Sequence, residues 1–204
     1  DASFYDTPLY RPDPWAANAL TDLPTEEPIL LIGTGLTTVD AVISLLDQGH
    51  TGPIYALSRR GLLPRRHAAV PKPPPDHAPF PTSLRALTRF LRVEAARAAG
   101  AGSGWQPVID ELRPFTVDLW QNMSLPDRRR FLRHLRPWWD VHRHRMASSV
   151  ADRVDAARAS GQVQVLAGRV REYRVSGRTV EVVYRPRGQA ANVSLRVARV
   201  VNCS

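Results

Sequence analysis

Two glycines one residue apart, Gly33 and Gly35, end the aliphatic run Ile29-Leu30-Leu31-Ile32 and open directly into Leu36-Thr37-Thr38-Val39-Asp40. A strand that stops in glycines and turns at once into a helix leaves several backbone N–H groups pointing into the turn. The helix dipole adds partial positive charge to them, and such a turn binds a pyrophosphate. Gly33 would allow the tight turn, and Gly35 would remove the side chain that blocks the phosphates. The third position of the pattern serves close packing of helix on strand, which calls for a small residue more than for glycine, and Thr38 meets that need. Gly33, Thr34, Gly35, Leu36, Thr37 and Thr38 are therefore the candidate phosphate loop. The competing reading is a glycine turn with no ligand, and the elements on either side must decide between the two.

The far end of a dinucleotide is read where the second strand stops. An acidic residue there accepts hydrogen bonds from a ribose 2′-hydroxyl and selects NADH, whereas cations accommodate a 2′-phosphate. Here Ser58-Arg59-Arg60 occupies that place, with no acid between Pro53 and His67. NADPH is expected over NADH, with Ser58, Arg59 and Arg60 as candidate contacts. The Arg59 guanidinium would pair with phosphate or stack on adenine. The alternative is a solvated arginine on an arginine-rich surface.

Two further features invite chemistry. Cys203 is the only cysteine; without a partner it forms no internal disulfide, and a buried strand thiol is the expected role. In the run Trp138-Trp139-Asp140-Val141-His142-Arg143-His144-Arg145, helical spacing places His142 and Arg145 on one face, so a basic pocket for an anion competes with aromatic anchors under a solvated basic face. A metal site is disfavoured, because His142 and His144 point apart on a helix.

These residues need a scaffold. From Ile29 the pattern runs through a strand, the glycine turn, an amphipathic segment with Val39, Val42, Ile43, Leu45 and Leu46, a turn at Gly49 to Pro53, and a strand at Ile54 to Leu57: a β-α-β unit. That context favours the nucleotide reading of the glycines. Residues 1–28, with Pro8, Pro12, Pro14, Pro24 and Pro28, show no sustained period and are expected to lie across a domain surface as a linker pinned by Tyr10 and Trp15. Residues 61–81 are proline-rich and predict an extended loop. Helical periodicity follows over Ser83–Ala99, Trp105–Met123 and Pro126–Leu135, the last opened by Ser124 with Asp127 as a capping box. A final helix is expected from Pro137 to Ala159, stopped by Gly161. The period then becomes two, predicting strands at Val163–Leu166, Arg169–Val175, Thr179–Tyr184 and Val193–Asn202, with a tight turn at Ser176-Gly177. The expected fold is α/β: a Rossmann-like parallel sheet with a helical insertion and a β-meander. Its divisions would be 1–28 as linker, 29–81 and 161–204 as NAD(P)-binding core, and 82–160 as insertion.

The chain has 204 residues, 43% of them hydrophobic, enough for a sizeable core. Its 28 Lys+Arg and 19 Asp+Glu give a formal charge of +9, which admits nucleic acid, an anionic membrane or a phosphorylated ligand. No nucleic-acid recognition motif accompanies the charge, and joint enrichment in Ala, Arg and Pro places arginines on solvated faces for reasons of base composition. No aliphatic run approaches the ~20 residues of a membrane span, and the amino terminus carries no export signal. Neither a nucleic-acid nor a membrane partner is expected, and the lone cysteine fits a reducing cytoplasm. A beginning without Met and an end inside a strand-like alternation lead to the expectation of a segment of a longer protein.

The run Gly33-x-Gly35-x-Thr37-Thr38-x-Asp40 resembles the second glycine motif of two-dinucleotide flavoproteins, the flavin-containing monooxygenase and glutathione-reductase-like group. In that pattern hydroxyl or small residues fill the fifth and sixth positions and an acid the eighth, where Asp40 stands. The stretch from Gly33 through LSRRGLLPRRH to His67 is similar to bacterial FAD/NAD(P)-binding proteins, and Val200-Val201-Asn202-Cys203-Ser204 resembles the strand by which such chains return to the FAD domain. The helical middle matches only that narrower bacterial group, and the first, FAD-binding glycine motif is absent. The resemblance implies an NADPH-binding segment of an FAD-dependent oxidoreductase, with FAD held by the remainder of the FAD domain in cis and no acid or base required of this chain. The alternative is a non-enzymatic nucleotide-sensing or protein-interaction module with the helices as partner surface.

Overall fold

The computed structural model describes residues 2–67 and 80–204; the prolines expected to be extended, Pro71 to Pro75, lie outside the described residues. In chain order the elements are β1 (Tyr10–Arg11), β2 (Ile29–Ile32), α1 (Leu36–Asp47), β3 (Ile54–Ser58), α2 (Leu84–Gly100), α3 (Gln106–Leu112), α4 (Thr116–Asn122), α5 (Leu125–Arg130), α6 (Arg136–Arg143), α7 (Ser148–Ala159), β4 (Val163–Ser176), β5 (Thr179–Pro186), β6 (Val193–Val197) and β7 (Arg199–Asn202). They form two units, Asp1–Pro64 with Ser149–Ser204, and Arg65–Ser148.

The first unit is a Rossmann-like α/β structure on a sheet ordered β1-β7-β2-β3-β4-β5-β6. Strands β1, β7, β2, β3 and the first part of β4 run parallel, and β4, β5 and β6 form an antiparallel meander. A parallel strand covered on both faces needs apolar side chains in both directions, and β2 supplies them. Ile29 and Leu31 pack with Val42 and Leu45 of α1, Ala157 of α7 and Val201. Leu30 points the other way, to Leu57, Val200 and the meander residues Val180, Val182 and Val197. Period-two alternation along one strand thus separates the helical layer from the meander.

Several elements depart from the sequence expectation, each for a visible reason. Part of the segment expected as linker is strand: Tyr10 and Arg11 pair with Val200 and Val201 at the sheet edge, a strand too short to show a period. Phe4 is its buried anchor, stacked on Tyr173 with ring centroids 4.3 Å apart, whereas Trp15 is exposed. Strand β4 is one 14-residue strand in place of the two predicted, because it changes partners midway, from β3 up to Ala167 to β5 from Gly168 onward. The predicted strand Val193–Asn202 is split at Ala198, whose N–H donates to the Pro28 carbonyl at 2.8 Å. Helix α7, expected within the insertion, packs Ala157 into the core of the α/β unit.

The second unit is helical, cored by Leu84, Leu87, Leu112, Leu119 and Met123. The predicted helix Trp105–Met123 is broken by a 3-10 turn at Arg113–Phe115, where Pro114 lacks an N–H. A π-helical turn at Phe131–Leu135 joins α5 to α6 ahead of Pro137. The predicted helix Pro137–Ala159 is interrupted between α6 and α7, because Met146 leaves the helix to pair with the extended segment 65–67: its N–H donates to Arg65 O and its carbonyl accepts from His67 N–H, both at 2.8 Å. Ser124 caps α5 through the Asp127 N–H at 3.3 Å, but the Asp127 carboxylate accepts from Leu84 N–H at 3.2 Å and so caps α2, where a capping box would have turned it back on its own helix.

Candidate dinucleotide site

The candidate phosphate loop leaves the sheet at a residue still locked into it. Gly33 N–H donates to Leu57 O, and Cys203 N–H donates to Ile32 O, both at 2.8 Å. Gly33 has φ +124°, and a Cβ there would lie 2.8 Å from the Cys203 carbonyl oxygen and 3.2 Å from Thr38 Oγ1. Both the backbone conformation and the space exclude a side chain. Thr38 is buried in the third position of the motif, where its hydroxyl touches the space a larger strand residue would take. Its other neighbour is the Cys203 thiol, whose pKa burial pushes up to about 11 despite the Thr38 hydroxyl drawing it down.

Gly35 differs. It is the N-cap of α1 in an extended conformation that any residue adopts, with φ −83° and ψ −168°, and no side chain caps the helix. A Cβ on Gly35 would meet nothing within 4 Å. The first helical hydrogen bond is from Val39 N–H to Gly35 O, at 3.1 Å, so the N–H groups of Leu36, Thr37 and Thr38 precede it and carry the positive end of the helix dipole. Open space, uncapped amides and a 12-residue helix meet at one point.

The parallel register brings the other candidates to the same edge. Ile32 of β2 stands beside Leu57 of β3 and Asn202 of β7, so the glycine turn, Ser58-Arg59-Arg60 and the turn after Asn202 all leave the carboxyl ends of adjacent strands. The chain moves from β2 through α1 to β3 on one side, while β7 lies on the other: the topological switch point where open α/β sheets bind ligands. Arg59 is exposed and makes no ion pair with a described residue, and Arg60 is half-buried. Thr34 and Ser58 face each other at 2.9 Å, and Thr34 also reaches the Leu62 carbonyl at 2.6 Å. Sequence reasoning missed Gly61 and Leu62 as part of this arrangement; the glycine after two arginines was the available signal.

In the helical unit, the His142–Arg145 run does not converge on an anion pocket. The Arg145 side chain is 2% exposed and paired with the Asp110 carboxylate, and its guanidinium lies over the Trp105 ring at 5.7 Å. His142 meets Trp105 edge-on and bonds the Trp138 carbonyl through Nδ1 at 2.7 Å. The break after α6, invisible to helical periodicity, is what sends Arg145 inward. Trp105, Trp138, Trp139 and His142 line an apolar cavity of about 250 Å³. Among the described residues no cluster of three or more His, Cys, Asp or Glu side chains could hold a metal ion, and no helix is long and apolar enough to cross a membrane.

No family model and no curated protein matches the chain. Solved structures do. The ornithine hydroxylase of Pseudomonas aeruginosa is similar over 98% of this chain and 40% of its own, with TM-score 0.55 and 14% identity. The L-lysine 6-monooxygenase of Pseudomonas syringae is similar over 91% of this chain and 36% of its own, with TM-score 0.53 and 12% identity. The chain therefore spans about two fifths of the length of these proteins, and at such identities the likeness is one of fold. By strand order, register and these comparisons, this chain has a Rossmann-like α/β fold similar to that found within this ornithine hydroxylase and this L-lysine 6-monooxygenase.

Proposed function

We propose that the α/β unit binds NADPH and that it is the NADPH-binding part of an FAD-dependent oxidoreductase whose flavin is held by other parts of the protein. The observation that carries this reading is the open space at Gly35, directly before the uncapped amides of α1 and at the carboxyl edge of β2. The backbone from Gly33 through Thr34, Gly35, Leu36 and Thr37 to Thr38 would hold the pyrophosphate. Arg59 and Arg60, on the turn that Ser58 opens, would receive the adenosine 2′-phosphate, as cations at the end of this strand do. When bound, NADPH is the hydride source and FAD the acceptor. The residues of this chain bind, orient and exclude, and none need transfer a proton.

Gly35→Val tests the reading. Valine adopts the Gly35 backbone conformation without strain and its Cβ would meet nothing within 4 Å, so circular dichroism should report a native fold. Titration calorimetry should find NADPH binding abolished. Unchanged NADPH affinity in the folded variant would mean that phosphate does not occupy this turn.

A further inference from the structure

The turn that carries Arg59 and Arg60 is tied to the phosphate loop by a chain of hydrogen bonds whose direction the geometry settles. Thr34 Oγ1 lies 2.6 Å from the Leu62 carbonyl oxygen and 2.9 Å from Ser58 Oγ. A carbonyl only accepts, and a threonine hydroxyl carries one proton; that proton goes to Leu62, so Thr34 accepts from Ser58. Ser58 Oγ in turn accepts from Gly61 N–H at 3.0 Å. The donors run in one sense, from Gly61 through Ser58 and Thr34 to Leu62, and both hydroxyl protons are consumed within the protein. Neither side chain has a proton left to donate to a phosphate.

The relay is shielded, with Thr34 only 6% exposed, and a buried link of this kind is expensive to leave unmade. A second anchor holds the same turn. Gly61 has φ +61°, and a Cβ there would lie 3.0 Å from Ala167 Cβ and 3.2 Å from Ala167 N in β4. Residues 58–62 are thus fastened to the glycine turn on one side and wedged against β4 on the other, with Arg59 and Arg60 between the two attachments. A cation on a fixed turn loses less freedom on meeting a phosphate than one on a loose loop.

We infer that Thr34 and Ser58 are positioning residues: the relay Gly61–Ser58–Thr34–Leu62 fixes the Arg59-Arg60 turn for the 2′-phosphate and so sets the preference for NADPH over NADH. This rests on the NADPH reading above and changes what Ser58 does in it, from a contact to a support. It also couples the two ends of the site, because Thr34 belongs to the pyrophosphate turn and its hydroxyl to the turn that reads the ribose.

The test compares Thr34→Val, which keeps the shape and removes the hydroxyl, with Thr34→Ser, which keeps the hydroxyl, and with Ser58→Ala. The readout is the ratio of the NADH to the NADPH dissociation constant, by titration calorimetry on the folded protein. Thr34→Val and Ser58→Ala should each lower that ratio about tenfold, the effect of loosening one charge-assisted contact, and Thr34→Ser should retain it. A relay that served only the fold would weaken both nucleotides alike; an unmoved ratio in Thr34→Val overturns the proposal, as does a loss in Thr34→Ser equal to that in Thr34→Val. If Thr34→Val does not fold, the half-buried Ser58→Ala carries the same comparison. A parent protein that binds neither nucleotide, or shows no preference between them, overturns the NADPH reading itself. A parent that prefers NADPH, with the ratio unmoved in the variants, overturns the positioning role alone.

Discussion

Gly33→Ala isolates what the glycine turn demands of the fold, apart from any ligand. The substitution adds one methyl group, but at φ +124°, a backbone region in which a non-glycine residue is strained by about 1–3 kcal/mol. The methyl carbon would also stand 2.8 Å from the carbonyl oxygen and 3.0 Å from the carbonyl carbon of Cys203. Those are backbone atoms, and the Cys203 N–H is held to Ile32 O at 2.8 Å, so relief requires shifting β7 against β2. Overpacking of that kind costs about 1–3 kcal/mol. Together the two effects should destabilise the protein by about 4 kcal/mol, which for a domain of this length lowers the melting temperature by about 8–16 °C. Scanning calorimetry and urea unfolding would measure it. Gly35→Ala is the internal control: its Cβ meets nothing within 4 Å and its backbone suits any residue, so only the loss of an N-cap glycine remains, about 1 kcal/mol or less. If Gly33→Ala proves no more destabilising than Gly35→Ala, the close approach of β7 to the glycine turn is wrong.

Arg59→Ala should weaken NADPH by about 1.5–3 kcal/mol through the loss of one charge-assisted phosphate contact, narrowing the preference over NADH; a preference that survives intact in calorimetry would assign the 2′-phosphate elsewhere. Asp110→Asn should lower the stability of the helical unit by about 2–3 kcal/mol in thermal unfolding, less than for a wholly buried pair because Asp110 keeps 36% exposure while Arg145 has 2%. An unchanged transition would show that the Arg145 cation is satisfied without this carboxylate. Cys203, buried and with its pKa pushed up to about 11, should resist a disulfide reagent at neutral pH in the native protein and react promptly in denaturant; rapid native labelling would contradict its burial beneath Thr38.

The β-α-β unit was legible because its signals are local. The aliphatic run, two glycines and the spacing of Val39, Val42 and Leu45 each reflect interactions within a few residues, and backbone sterics at a turn do not depend on the rest of the chain. The β-meander and the cationic end of β3 were legible for the same reason. What the amino-acid order left open were contacts between distant segments. A two-residue strand at Tyr10–Arg11 exists only because β7 offers it an edge, and the helix predicted through 144–147 ends because Met146 finds the backbone of Arg65. Propensity and period carry no term for such partners, and tertiary hydrogen bonds outweigh the few tenths of a kcal/mol per residue at stake in local preference. The candidate site divides along the same line. Glycines and arginines announced which residues could hold phosphate, but the roles of Thr34 and Ser58 depend on a hydrogen bond spanning 24 positions and another spanning 28. Only folding brings those hydroxyls together, and with one proton on each, their meeting leaves neither a proton to offer a ligand.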